Sequence, residues 1–350
     1  MKTKLVYVLT CGEEGTYIEQ ALISAYSARY HNPDAHIVLI VDAKTNELLV
    51  GKRAEVLEYV TEKLVVEVPK EFNLMQASRW LKTSVRNIID GDFLFIDCDT
   101  IITQSLEEID HFECEIGAVL DSNRLVGKYH PQDQEEIYKK ASICGWDLTN
   151  IEHYRNSGVM YVKDTKSTRK FYTLWHQNYL HTRKFNVHID QISLEKTSQE
   201  IVIVEDLDNI WNAIMYTRPK FIKNAKIIHF LSHNNNSFLF SKRVLKYLQN
   251  NGLTNFVKYY TEHPLESFIP YQKEYFTCKN IFNVIRYVSK GAKKYASYID
   301  PQFNDLKIPL RIGEVVRALM KHKMFLLSTF IWMSWICLTG KYNPLEKYYN

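Results

Sequence analysis

Asp97-Cys98-Asp99 closes a short apolar run, Phe93-Leu94-Phe95-Ile96. A run of this length and composition fills a buried strand. Side chains two apart on an extended chain face the same way. Asp97 and Asp99 are therefore expected to point together beyond the strand's carboxyl end, where an open α/β sheet keeps its ligand crevice. Two carboxylates this close repel each other unless a cation sits between them. Hard oxygen ligands favour Mn²⁺ or Mg²⁺, ions that commonly bridge the phosphates of a substrate. The plain alternative is a strand end followed by a polar turn.

Four other groups of residues carry possible chemistry. Ile227-Ile228-His229 puts a histidine at the end of a second apolar strand, as a third metal ligand or as a structural histidine. His233 is its rival on the following loop. Asn156-Ser157-Gly158 is either a turn or an amide that meets sugar hydroxyls, with Gly158 allowing close approach. Asp190-Gln191 opens a helix, where a carboxylate complements the helix dipole or is aimed at a sugar ring. Arg79 and Lys82 lie three apart on one face of the preceding helix, either as a solvated face or as cations for a diphosphate.

These residues need elements to hold them. The pattern predicts a strand over 5–10, a turn over 11–15, a helix over 17–30, a break at Asn32-Pro33-Asp34, a strand over 36–41 and a helix over 45–59. A strand over 64–68 and a helix over 76–90 lead into the strand before Asp97. Alternation of this kind means βαβ units and a parallel sheet. No G-x-G-x-x-G follows the first strand, so a dinucleotide fingerprint is absent. Further on, strands are expected over 117–121, 157–162, 201–204 and 225–230, with helices over 165–179 and 188–196 and a polar helix or loop over 131–142.

The 350 residues carry a formal charge of +4, unevenly placed. Residues 284–350 hold 11 Lys and Arg against 4 Asp and Glu, a net +7 that leaves −3 for the rest. The basic excess belongs to the tail and suits an anionic surface there, with nucleic acid not among the expected partners. Within the tail, 324–338 is an uncharged aromatic stretch of 15 residues, short of the ~20 that span a bilayer. It reads as a buried core helix or as an interfacial helix with Trp332 and Trp335 at the headgroups. The expected organisation is a catalytic domain over 1–236 and a helical, basic-aromatic appendage over 237–350 that associates with the membrane surface. Six cysteines stand far apart with no C-x-x-C pair, and the amino terminus runs into a strand without a long apolar signal region. Both features point to a cytoplasmic protein, and the tail to one that is peripheral on the inner face of the cell membrane.

Taken in order, Lys82, Asp97-Cys98-Asp99-Thr100, Asn156-Ser157-Gly158-Val159, Asp190-Gln191, Trp211-Asn212 and His229-Phe230 resemble the retaining glycosyltransferases of family eight. That family includes glycogenin and the bacterial lipopolysaccharide galactosyl- and glucosyltransferases, and the resemblance covers residues 5–233. It implies a GT-A fold, a Rossmann-like mixed α/β sheet flanked by helices. It implies that Asp97, Asp99 and His229 hold Mn²⁺ (or Mg²⁺) against the diphosphate of a UDP-sugar donor. Thr10 and the adjoining turn at Cys11 would meet the nucleobase, and Cys98 and Ser157 would line the donor site. Asn156, Asp190 and Gln191 would face the transferred hexose, the last two in the catalytic role. The family's lysine soon after the metal histidine is missing, since none occurs until Lys242, which leaves Arg79 or Lys82 for the phosphate. The implied acceptor is a glycan, polyprenyl-linked if the tail holds the enzyme at a membrane. Two other activities use an acidic pair of this kind: a nucleotidyltransferase, and a phosphatase of the haloacid dehalogenase type.

Overall fold

The apolar runs pair into one large sheet. The computed structural model describes residues 1–129, 131–214, 219–231 and 239–264. The chain begins with β1 (Lys4–Leu9), α1 (Tyr17–His31), β2 (Ile37–Asp42), α2 (Ala43–Leu48), β3 (Glu62–Val66), α3 (Leu74–Ile88) and β4 (Phe93–Ile96). It continues with β5 (Thr100–Ile102), β6 (Ile116–Leu120), α4 (Pro131–Ile143), β7 (Arg155–Val162), α5 (Lys166–Arg183) and α6 (Asp190–Glu200). Last come β8 (Val204–Asp206), β9 (Ala213–Ile214), β10 (Ile227–His229), α7 (Lys242–Asn251) and α8 (Asn255–Glu262). The single helix expected over 45–59 is instead α2 and a separate 3-10 stretch, Gly51–Glu58. The break falls where Gly51 takes φ +55°, a left-handed conformation that a right-handed helix does not contain.

The large sheet has the order β3-β2-β1-β4-β7-β6-β8. β1 to β4 run parallel, as their βα connections require, while β7 lies antiparallel between β4 and β6 and makes the sheet mixed. This is a mixed α/β sheet flanked by helices, the arrangement the resemblance implies. β1, β2 and β4 are buried on both faces. Leu5, Tyr7 and Leu9 join the core on one side, with α1, and Val6 and Val8 join the core on the other, with α3 and α5. Double-sided burial is why these strands read as unbroken apolar runs.

Two features aim at the sheet's carboxyl edge. A capping box, Asn73 with Gln76, starts α3, so that its first turns carry Arg79 and Lys82 toward that edge. The β6–β7 pairing slips between Ala118↔Met160 and Val119↔Asn156, leaving Ser157, Gly158 and Val159 without a β6 partner. A bulge of this kind re-aims side chains. The start of β7 is clamped to α6 by Glu195. Its Oε1 accepts the Arg155 backbone N–H at 2.6 Å, and its Oε2 lies 3.2 Å from the Arg155 guanidinium.

The appendage expected over 237–350 lies outside the described residues except for 239–264, which form α7 and α8. The uncharged stretch 324–338, its flanking cations and His233 also lie outside them. Among the described residues no helix is long and apolar enough to cross a membrane.

The clamp predicts a pH dependence. Burial pushes the Glu195 carboxyl up to about 7, with Arg155 opposing the rise. A carboxyl that holds its proton more tightly when folded stabilises most below its ordinary value of 4.5, and that stabilisation is lost as pH rises through about 7. Glu195→Gln is expected to remove this decline. Urea unfolding at several pH values across that window should show the wild type losing stability relative to the variant. Parallel curves would mean that Arg155 keeps Glu195 ionised throughout.

Candidate metal and donor site

Asp97 and Asp99 do not lie on a strand. β4 ends at Ile96, the next three residues turn, and the chain re-enters extended structure at Thr100 in a different sheet, of order β5-β10-β9. The two carboxylates converge because this turn is tied down, not because alternate strand residues share a face. Asp97 N–H donates to Gly158 O at 2.7 Å, Thr100 Oγ1 donates to Asp97 O at 2.9 Å, and Phe230 N–H donates to Asp99 O at 2.9 Å. β10 pairs antiparallel with β5 in the register His229↔Thr100, which sets His229 beside Asp99.

The ligand atoms of Asp97, Asp99 and His229 all lie within 4.8 Å of one another. His229 Nε2 is 3.2 Å from Asp99 Oδ1. Its Nδ1 lies 3.0 Å from Asn212 Oδ1, an acceptor, so Nδ1 carries a proton and Nε2 is the nitrogen left for a cation. Burial works to lower the imidazole pKa, and the touching Asp99 outweighs it and raises the value. A divalent ion would take the place of that proton. Two hard carboxylates and one imidazole suit Mn²⁺ or Mg²⁺. Gly158 supplies the room: a Cβ there would collide with His229 Cε1 and come 2.8 Å from both Asn156 Oδ1 and Asp97 Oδ2. The cluster fits a divalent cation.

The cations predicted on α3 reach the same place. Lys82 Nζ lies 3.2 Å and 3.3 Å from the two oxygens of Asp97 and 3.5 Å from Asp190 Oδ2. Arg79 Nε is 3.1 Å from Asp190 Oδ1, and Ser157 Oγ donates to Asp190 Oδ2 at 2.6 Å. Burial would raise the Asp190 carboxyl, yet Lys82, Arg79 and Ser157 hold it down at about 2, so it is ionised at neutral pH. Asp97 goes the other way. Burial raises it, Lys82 offsets only part of the rise, and Asp99 adds to it.

Asn156 and Gln191 are also brought together, on a residue that sequence reasoning missed. Asp121 Oδ1 accepts Asn156 Nδ2 at 2.9 Å and Gln191 Nε2 at 3.1 Å. The signal was available, because Asp121 directly follows the apolar strand β6 as Asp97 follows β4. The backbone then takes two left-handed residues, Ser122 (φ 54°) and Asn123 (φ 51°), conformations that asparagine tolerates and most side chains do not. Asn123 anchors this turn by donating to Asn212 O at 2.9 Å and accepting from Ile214 N–H at 2.8 Å.

Three predicted donor residues direct their side chains elsewhere. Thr10 Oγ1 donates to Leu74 O at 2.9 Å. Cys11 is 1% exposed, and its N–H donates to Thr45 Oγ1 at 2.8 Å. Cys98 Sγ donates to Val8 O at 3.4 Å beneath the turn. Cys11 and Cys98 therefore pack their thiols inward.

No protein-family model matches the chain, and no curated protein matches its sequence. Similar solved structures include the galactosyltransferase LgtC in complex with donor and acceptor sugar analogues, at 14% identity over 72% of this chain and 97% of that one, TM-score 0.47. Mouse xyloside xylosyltransferase 1 in its apo form matches at 15% identity over 66% of this chain and 98% of that one, TM-score 0.43. The glycosyltransferase GlyE of Streptococcus pneumoniae matches at 14% identity over 76% of this chain and 64% of that one, TM-score 0.45. Likeness at this level leaves function to the site residues themselves.

Gly158 tests the cation site. It does not take a positive φ, so alanine is compatible with its backbone and fails only for lack of space. Gly158→Ala is expected to weaken Mn²⁺ binding by about 10–100-fold, as loss of ligand support does elsewhere. Its circular dichroism should match the wild type. Unchanged Mn²⁺ affinity, read by electron paramagnetic resonance, would place the cation elsewhere.

Proposed function

We propose that the protein is a metal-dependent glycosyltransferase of the retaining family-eight type, moving a hexose from a UDP-sugar to a hydroxyl of a glycan. One observation carries this reading: ion pairs and hydrogen bonds join the Asp97, Asp99 and His229 cluster to Lys82, Arg79, Asp190, Asn156 and Gln191. A Mn²⁺ or Mg²⁺ ion held by Asp97, Asp99 and His229 would supply Lewis-acid stabilisation of charge on the leaving diphosphate. Arg79 and Lys82 add fixed positive charge to the same crevice and answer for the lysine missing after His229. Asn156 and Gln191, held on Asp121, present amides to sugar hydroxyls. Asp190 stays ionised and steadies positive charge growing at the anomeric carbon as the sugar–phosphate C–O bond breaks and the acceptor hydroxyl attacks from the same face, its proton passing to the departing diphosphate oxygen.

Asp97→Asn and Asp99→Asn should each lower transfer by more than about 100-fold, in keeping with loss of a transition-state charge stabiliser. EDTA should stop the wild type and Mn²⁺ restore it. The assay is release of UDP from a panel of UDP-sugars. Full activity in EDTA would refute metal dependence, and hydrolysis of a generic phosphomonoester in its place would favour the phosphatase.

We further infer that the basic, aromatic tail keeps the enzyme on an anionic inner-leaflet surface, where it extends a polyprenyl-linked capsule or lipopolysaccharide glycan. Its net +7 and the uncharged stretch 324–338 support this. Truncation after Tyr298 should abolish pull-down by anionic liposomes and leave UDP-sugar hydrolysis intact. Aggregation of the truncated chain would instead make 324–338 part of the core.

A further inference from the structure

Lys82 touches two carboxylates of the site at once. It is 4% exposed, and its ammonium also sits 4.9 Å from the Phe95 ring centre, under the packing of α3 on the sheet. It cannot swing into solvent without opening that packing. One of its two partners, Asp97, is also a member of the ligand cluster. A cation bound there must share Asp97 with a fixed ammonium.

The charges make the consequence concrete. Asp99, Asp97 and Asp190 bring three negative charges, and Lys82 and Arg79 bring two positive ones. With a divalent ion in place of the proton shared by His229 and Asp99, the ion-paired group is net +1. Asp121 lies one hydrogen bond further out, on Asn156 and Gln191. An excess of positive charge in this partly buried group is costly unless an anion joins it. A diphosphate relieves that excess and also supplies oxygen ligands.

We propose that Lys82 is a built-in counter-cation that keeps the affinity for a divalent ion alone low and makes tight metal binding conditional on a diphosphate. This rests on the metal site proposed above. The two ligands then bind with positive coupling, and the coupling is reciprocal. The ion enters with the nucleotide, not ahead of it. Loss of the lysine charge has opposite effects on the two ligands: the ion alone binds more tightly, and the diphosphate binds less tightly.

The test uses the full chain, with Mn²⁺ and UDP as probes and UMP as the monophosphate control. Free Mn²⁺ is followed by electron paramagnetic resonance, with Mn²⁺ complexed by UDP in solution subtracted. Lys82→Met keeps the aliphatic stem and removes the charge. It is expected to bind Mn²⁺ alone at least about tenfold more tightly, and to lose at least about tenfold of the enhancement by UDP, a change within the range of typical site couplings. Lys82→Gln carries the same expectation and stands in if the methionine variant fails to fold. Lys82→Arg keeps the charge and should keep the coupling. Equal or weaker binding of Mn²⁺ alone by a folded neutral variant overturns the proposal, as does lost coupling in the arginine variant. Asp97→Asn and Asp99→Asn separate the two levels. If the wild type with UDP binds no Mn²⁺ that these variants abolish, the metal site itself falls and the role of Lys82 with it. If binding needs both aspartates and the neutral variant behaves as wild type, only the role of Lys82 falls.

Discussion

Several carboxylates held together at the edge of the main sheet are the constraint on which the rest depends. Buried charge is tolerated only where partners compensate it. Lys82 lies between Asp97 and Asp190, Arg79 covers the outer side of Asp190, and His229 leans on Asp99. The two carboxyls that share Lys82 nonetheless shift in opposite directions. Burial pushes both up; at Asp190 the directly paired Arg79 and Ser157 join Lys82 in reversing it, whereas at Asp97 the like charge of Asp99 adds to it. Divergent shifts within one cleft are a mark of functional sites. Here the shortfall falls on Asp97, a carboxylate of the candidate cation site.

The backbone makes this possible by changing sheets. β4 belongs to the large sheet and β5 to the small one, and the turn between them is where Asp97 and Asp99 lie. The small sheet then fixes the histidine through its register with β5. Its third strand, β9, follows directly from Asn212, the residue that orients the imidazole.

Hydrogen bonds carry that orientation onward. Asn212 Nδ2 donates to Asn156 Oδ1 at 3.0 Å, Asn156 donates on to Asp121, and Gln191 donates to the same carboxylate. One continuous polar chain thus links the candidate metal ligand to the amides proposed for the sugar. Buried networks of this kind are rigid when every member is satisfied. Arg155 joins it to the scaffold: its carbonyl accepts Gln191 Nε2 at 3.2 Å, and its N–H is held by Glu195. The β7 bulge frees Ser157 and Gly158 from β6, and both then serve the site: one bonds Asp190, and the other leaves the gap beside His229.

The sequence by itself determined most elements of the large sheet and the principal charged residues, but not the break at Gly51 or the small-sheet strands β5 and β9. Apolar runs on a doubly buried sheet need no partner information to be recognised, and an acidic triplet at the end of such a run stands out for the same reason. The cations on α3 were legible because helical spacing puts Arg79 and Lys82 on one face. Only the tertiary structure decided how these groups meet. The reading of Asp97 and Asp99 as alternate residues on one strand put both at the right end of β4 but mistook the cause, since a turn held by long-range hydrogen bonds does the work. The choice of His229 depended on a strand register set across more than a hundred residues. Asp121 and the Glu195–Arg155 clamp were hidden for a related reason. A lone carboxylate after a strand, or inside a helix, gains a role only from the partner that folding brings to it, and local sequence does not encode that partner.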